Sequence, residues 1–477
     1  MKKTLDLLWS CVVLWSACAA SAAEPSEVQA GPKPADRHVI LITLDGYPAW
    51  LWRDESVPAP NLRRLAREGA VAQAMTVSNP SITWINHTTL VTGVTPRRHG
   101  VLYNGLLVRQ GPNQAPKIEP WVDKDRLVFA PTLYDLAFQA GLTTAEVDWV
   151  AVTRPGTINW SFAEIPHADG RVEQEMIAAG ILRPEQIGWF NGPARKNMIW
   201  HDAAWTKATS FIFQKHQPNL LLYHQLNPDA IHHQYGPGSP ASYTALGYAD
   251  ALVGELLKTV DQSGARSRTT IFVASDHGFK KVAKIIYPNV VLKQAGHLQA
   301  SGATIGRHDA VAVAEGGMAF VYLTDRRRKA ELLPGLKKLF AAAEGVANVY
   351  DGQEGPAFGM PRPEENPGMG DLFLFAKTGY AFKGEAQGTA AVAPTQGYLG
   401  THGYRADDPD MDGIFIASGS GIKPGVSLRR VANLDVAPTI ARLLGLKIPR
   451  PDGRVLTEIL AESDASKAER GEPAGSR

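Results

Sequence analysis

Val39-Ile40-Leu41-Ile42-Thr43-Leu44-Asp45-Gly46 is a short apolar, β-branched run that stops on an acid and a glycine. A run of this length and composition, closed by turn residues, reads as a β-strand. Runs of the same kind recur at 144–150, 220–223, 270–274, 319–323 and 414–417. Between them, 59–68, 131–140, 203–215, 243–262 and 435–444 carry helical spacing of their apolar residues. Strands that alternate with helices predict an α/β fold: a doubly wound, mostly parallel central sheet with helices on both faces. No internal repeat is visible.

The residues just after these strands carry the chemistry. Asp45 follows the first run, Asp229 comes shortly after the run that ends at Tyr223, and Asp276 comes just after Ala274. Open α/β sheets bind ligands at the carboxyl ends of their strands, so three carboxylates at three strand ends converge on one crevice. Asp229 and His233 stand one helical turn apart, which puts both side chains on one side, and Asp276-His277 at a post-strand turn can splay toward two neighbouring ions. With His402 the set provides three carboxylates and three imidazoles, enough donors for two divalent metal ions. Zinc suits that mixture best, with manganese or iron as alternatives. Taken singly, each block also has an ordinary reading. Asp45-Gly46 is a turn, and Asp229 with His233 is a helix cap and a surface histidine.

Thr83 is the candidate nucleophile. It follows Asn79-Pro80-Ser81-Ile82 and precedes a helical stretch at 84–92. A hydroxyl at a helix start meets the positive end of the dipole and free backbone amides, which favour an anionic oxygen and a phosphate. Coordination to a divalent metal would supply the ionisation such a hydroxyl needs. An N-cap threonine is the competing reading, and Ser81 is the competing nucleophile.

Composition sets the outer bounds. With 477 residues and 44% hydrophobic content the chain can bury a large core. A formal charge of +2 argues against a dedicated nucleic-acid surface. Met1-Lys2-Lys3, an apolar stretch to Ala17 and then Ala19-Ala20-Ser21-Ala22-Ala23 read as a signal peptide over residues 1–23, and so as an exported, periplasmic or secreted protein. Lipid attachment at Cys18 is a minor alternative. Both cysteines, Cys11 and Cys18, fall inside that segment, so the mature chain would carry no disulfide and no thiol chemistry. The expected organisation is a catalytic domain at 36–461, a smaller inserted lobe within about 279–399 where Gly and Pro are frequent, and a disordered polar tail at 462–477. No transmembrane helix is expected in the mature chain, and the sequence says nothing of oligomeric state.

The blocks Thr83-Trp84-Ile85-Asn86-His87, Pro228-Asp229-Ala230-Ile231-His232-His233-Gln234-Tyr235-Gly236-Pro237, Ser275-Asp276-His277-Gly278 and Gly400-Thr401-His402-Gly403, with Asp45, resemble in order the alkaline phosphatase superfamily, and within it the nucleotide pyrophosphatase/phosphodiesterase branch. One departure is His232, where that branch usually has glycine, which puts the local turn in question. The resemblance implies one zinc on Asp229, His233 and His402, and a second on Asp45, Asp276 and His277 with Thr83 as its oxygen ligand. It also implies Asn104 as a donor to a nonbridging phosphate oxygen and Trp84 as an aromatic beside the substrate. A buried helix aromatic is the plainer reading of Trp84.

Two divalent ions against three carboxylates leave the site net positive, which draws in an anionic phosphoryl group. Thr83 would attack phosphorus, and water would then hydrolyse the phosphothreonine intermediate. Monoesterase relatives bring a Lys-x-Arg pair to the extra phosphate charge. Lys124-Asp125-Arg126 lies upstream of the 131–140 helix, and the segment that aligns with the pair is Asp148-Trp149-Val150, without a cation. The expected substrate is therefore a small phosphodiester or a nucleotide with a pyrophosphate bond. Phosphonoacetate hydrolysis and phosphomonoesterase activity remain as alternatives, and a catalytically inactive secreted binding protein as one of another class. The sulfatase nucleophile block is absent.

Overall fold

The computed structural model describes residues 33–111, 114–192 and 197–462. The expected signal segment, with Cys11 and Cys18, and the expected tail beyond Glu462 lie outside the described residues.

His38–Leu44 is buried along its whole length and sits near the middle of a nine-stranded sheet. From one edge the strands run Val426–Leu428, Ala70–Thr76, Gly413–Gly419, Thr269–Ala274, His38–Leu44, Leu220–Gln225, Thr144–Val147 and Trp160–Phe162, with Val431–Ala432 pairing beside Ala70–Thr76. Every pairing is parallel except the two made by Gly413–Gly419. The central strands are apolar on both faces because helices cover both, which is why they lack the alternation of a half-exposed sheet. One face packs on Pro60–Glu68, Met198–His216 and Pro240–Gln262, around Leu62, Trp205, Phe213 and Leu256. The other packs on Thr83–Thr92, Leu133–Gln139 and Val436–Leu443, around Leu90, Tyr134 and Ile440. The expected doubly wound α/β fold is the one observed.

Two strand expectations differ in detail, and one strand was not expected. The run at 144–150 stops at Val147, because Asp148 takes a left-handed backbone (φ 56°) and turns the chain. The run at 319–323 belongs to Met318–Leu323, which lies outside the central sheet. It joins Ala310–Glu315, Leu372–Ala376 and Val346–Asp351 in a four-stranded antiparallel sheet backed by Lys329–Ala341. Its core continues without a break to Trp84, Ile85, Val101 and Leu102, so this layer packs directly against the start of the Thr83 helix. Ala70–Thr76 is a central-sheet strand that the sequence reading did not find.

Candidate active site

Asp45 stands at the end of His38–Leu44, and Asp276 and His277 just beyond its neighbour Thr269–Ala274. Asp229 and His233 share one face of the helix Asn227–Tyr235, which follows Leu220–Gln225 on the other side. His402 comes from further off. The strand Lys280–Ile286 continues from the Asp276 turn and pairs with Gly400–Thr401, which lays the His402 ring flat on His277 at 3.7 Å between centroids.

The six side chains form two groups, Asp229/His233/His402 and Asp45/Asp276/His277, whose ligand atoms lie within 4.8 Å of one another in each group. Donors held about 2.0–2.1 Å from a tetrahedral zinc stand roughly 3.3–3.5 Å apart. In the first group Asp229 Oδ1 is 3.4 Å from His233 Nε2 and 3.6 Å from His402 Nε2. In the second, His277 Nε2 is 3.3 Å from both Asp45 Oδ1 and Asp276 Oδ2. All three of those carboxylate oxygens are buried without a hydrogen-bond partner among the described residues.

The imidazoles are set to complement them. His277 Nδ1–H donates to Gly278 O at 3.1 Å, His233 Nδ1–H to Gly400 O at 2.9 Å and His402 Nδ1–H to Ser81 O at 2.9 Å. Each backbone carbonyl fixes the tautomer that leaves Nε2 with a free lone pair facing the site. Burial, with His402 beside it, pushes His277 well below the usual histidine range, and burial with His233 beside it lowers His402 to about 3. Both are therefore neutral, as a ligand must be. Burial raises Asp229; burial and then the Asp45 charge raise Asp276 strongly; burial and then the Asp229 charge raise Asp45. Three acids held above their normal range against each other, with unpartnered oxygens, fit a pair of divalent cations.

Thr83 opens the helix Thr83–Thr92, with Ile82 at the cap position and no side-chain cap hydrogen bond. Its hydroxyl is thus not a cap. It lies 3.3 Å from His277 Nε2, the spacing of a fourth donor in that group. Ser81, by contrast, donates its hydroxyl to Tyr404 O at 2.8 Å and accepts from Gly403 N–H at 3.1 Å, so it braces the His402 loop. Asn104 accepts the Trp84 N–H through Oδ1 at 3.0 Å, which leaves its amide group for the cleft it lines. Trp84 is 8% exposed, packs near Trp121 and also lines the cleft, so it joins core and site. The cleft holds about 170 Å³ and shares Glu164 and Leu226 with a neighbouring hollow of about 240 Å³ bordered by Trp121, Phe190, Met198 and Trp205.

His232 leaves the turn intact: the helix runs on to Tyr235 and ends at Gly236 (φ 79°). Its ring instead ties Gly46 O (3.0 Å) to the Ser242 hydroxyl (2.7 Å). Lys124 is buried against Asp135 at 2.7 Å and Arg126 pairs with Glu119, so neither lines the cleft.

The sequence reading missed the layer behind the site. His87 Nδ1–H donates to Thr83 O at 2.9 Å while Nε2 meets the Thr43 hydroxyl at 2.8 Å, which holds the Thr83 backbone to the central strand. His224 Nε2–H reaches Asp45 Oδ2 at 3.1 Å. Burial alone would lower His224, but the charges of Asp148 and Asp45 on its two sides outweigh it and raise the ring well above the usual range. Glu315 lines the cleft, where burial raises its carboxyl above the usual range. Only the Asn86-His87 pair, in its Thr-x-x-Asn-His spacing, gave any sequence signal for this layer.

A mostly parallel sheet at whose strand ends two three-donor groups gather around a helix-start threonine defines an alkaline phosphatase-like, two-metal hydrolase architecture. The sequence model of the type I phosphodiesterase/nucleotide pyrophosphatase family matches residues 39–405, and the chain belongs to that family. It is similar to human ectonucleotide pyrophosphatase/phosphodiesterase family member 7, at 25% identity over 88% of this chain and 82% of the relative. The mouse member 7 is 24% identical over 94% of this chain and 93% of its own. Among solved structures, murine ectonucleotide pyrophosphatase/phosphodiesterase 5, as an inactive variant in complex with AMP, superimposes with a TM-score of 0.68 at 16% identity. That match covers 89% of this chain and all of that one. Human ectonucleotide pyrophosphatase/phosphodiesterase 5 gives the same TM-score at 18% identity.

Proposed function

We propose that the protein is a zinc-dependent phosphodiesterase that cleaves phosphodiester or pyrophosphate bonds through a phosphothreonine on Thr83. The observation that carries this is the placement of the Thr83 hydroxyl 3.3 Å from His277 Nε2, beside three unpartnered carboxylate oxygens at donor spacing. One zinc would be held by Asp229, His233 and His402, the other by Asp45, Asp276, His277 and Thr83. When bound, the two ions supply Lewis acidity that ionises the hydroxyl and neutralises charge on the leaving oxygen.

The chain's own residues do the rest. The Asn104 side-chain amide donates to a nonbridging oxygen whose charge grows in the transition state, while its Oδ1 holds the Trp84 N–H at the start of Thr83–Thr92. Thr83 attacks in line, held by the His87 brace on its carbonyl. The alcohol or phosphate leaves on the side of phosphorus opposite Thr83, and water then releases the second product from Thr83. No Lys or Arg among the described residues lines the cleft, while Glu315 does, which favours a monoanionic diester over a dianionic monoester. The antiparallel sheet within 279–399 forms the wall that carries Glu315.

Export to the periplasm or beyond accords with the N-terminal segment and with relatives named as ecto-enzymes. Among the described residues no helix is long and apolar enough to cross a membrane.

Acid quenching during steady turnover of a diester, followed by peptide mass analysis, tests the covalent step. A phosphate ester that still carries the retained alcohol is expected on Thr83; label on Ser81 or on no residue would overturn it.

A further inference from the structure

His224 sits on Leu220–Gln225, the strand beside the one that delivers Asp45, and its ring lies between two acids. Nε2 is 3.1 Å from Asp45 Oδ2, and Nδ1 is 3.2 Å from Asp148 Oδ2 and 3.1 Å from the Asp148 carbonyl oxygen. All three residues are at most 1% exposed. The His87 ring closes the third side edge-on at 4.5 Å, and Trp149 backs His87 at 4.8 Å.

Asp148 reaches this position through a left-handed φ of 56°, and Ala151 shows φ 56° in the same turn. A non-glycine residue there costs on the order of 1 kcal/mol and persists where its surroundings impose it. The turn bends the segment inward, and its acid contacts His224.

The consequence falls on Asp45. Its Oδ2 is taken by His224, and only Oδ1 faces the donor group. Asp276 is treated alike, because Oδ1 accepts from Gly46 N–H at 3.1 Å and His277 N–H at 3.0 Å and leaves Oδ2 alone free.

We propose that Asp148 and His224 are positioning residues that lock Asp45 as a single-oxygen ligand and so set the affinity of the Asp45/Asp276/His277 site far more than that of the Asp229/His233/His402 site, which they do not contact. The proposal rests on the two-metal reading above. Partners behind a metal ligand govern its orientation, and their loss lowers metal affinity roughly 10–100-fold.

The test is zinc titration of the metal-free full chain against a chromophoric chelator for wild type, Asp148→Asn, His224→Gln and Asp276→Asn. Asparagine tolerates a left-handed φ, so Asp148→Asn keeps the turn and removes the charge, and circular dichroism confirms the fold. Wild type should bind two zinc ions. In Asp148→Asn one of them should weaken by roughly 10–100-fold, the same one that Asp276→Asn abolishes, while the other changes by less than about threefold. His224→Gln, whose amide can still donate to Asp45, should fall between the two. Diesterase activity of Asp148→Asn should be low at limiting zinc and return when zinc is raised. Equal weakening of both sites, or no change in either, would overturn the proposal while leaving the two-metal reading in place. A wild type that binds fewer than two ions would overturn both.

Discussion

Removing the metals should lower the melting temperature by an amount the site geometry makes calculable. The two donor groups stand at zinc spacing in the fold and have no counterpart in the unfolded chain, so the free energy of binding goes to the folded state. With free zinc at about 100 times each dissociation constant, each site adds about 2.7 kcal/mol, together about 5 kcal/mol. Unfolding entropy of roughly 2.1 cal/mol/K per residue gives about 1 kcal/mol/K for a chain of this length, so the shift is about 5 °C. Scanning calorimetry with and without a chelator reads it directly. His402→Ala strips one donor from one group and should retain about half the shift, as should His277→Ala for the other group. Asp229→Asn with Asp276→Asn together should abolish it. A wild type whose melting point ignores zinc, or a double variant that keeps the full shift, would refute the assignment of these six residues as two sites.

Asn104→Ala should lower kcat/KM for a diester by roughly 100-fold, the usual effect of losing one donor to a developing charge, with the melting point nearly unchanged. Glu315→Gln removes a negative charge from the cleft wall and should raise p-nitrophenyl phosphate turnover relative to bis-p-nitrophenyl phosphate by about fivefold, near 1 kcal/mol; an unchanged ratio would remove Glu315 from the selectivity account. His99 is buried, accepts the Val101 N–H through Nδ1 and meets the Thr89 hydroxyl through Nε2, and burial lowers it to about 3. Since its folded pKa lies below the unfolded value near 6.5, its stability contribution is present above pH 6.5 and lost as pH falls toward 3, about 2 kcal/mol of it by pH 5. Urea midpoints at pH 7.5 and 5 for wild type and His99→Asn should show that the variant loses about 2 kcal/mol less on acidification, and equal losses would contradict the argument.

The sheet and the six donors were legible because each acid follows a recognisable apolar run or sits at a helical repeat from its partner. Asp45 after Leu44, Asp276 after Ala274 and the one-turn spacing of Asp229 and His233 are local facts, and the sheet brings strand ends together without further information. What was not legible is set by distance or direction. Ala70–Thr76 alternates alanine with Val71, Gln73 and Met75, with too few β-branched residues to read as a strand. The antiparallel sense of Gly413–Gly419 leaves no trace in periodicity. His224 reads as one polar residue in an apolar strand, and its tie to Asp45 spans 179 positions. Asp148 resembled a missing cation, whereas the left-handed turn that carries it inward depends on packing in three dimensions.

The central claim is that Thr83 is the nucleophile of a two-metal diesterase. The measurement that reaches it most directly is hydrolysis of bis-p-nitrophenyl phosphate, p-nitrophenyl phosphate and phosphonoacetate by the zinc-loaded protein and by Thr83→Ala. A strong diester preference that disappears in the variant is the expected result. Preference for the monoester or the phosphonate, or undiminished diester turnover by Thr83→Ala, would contradict it.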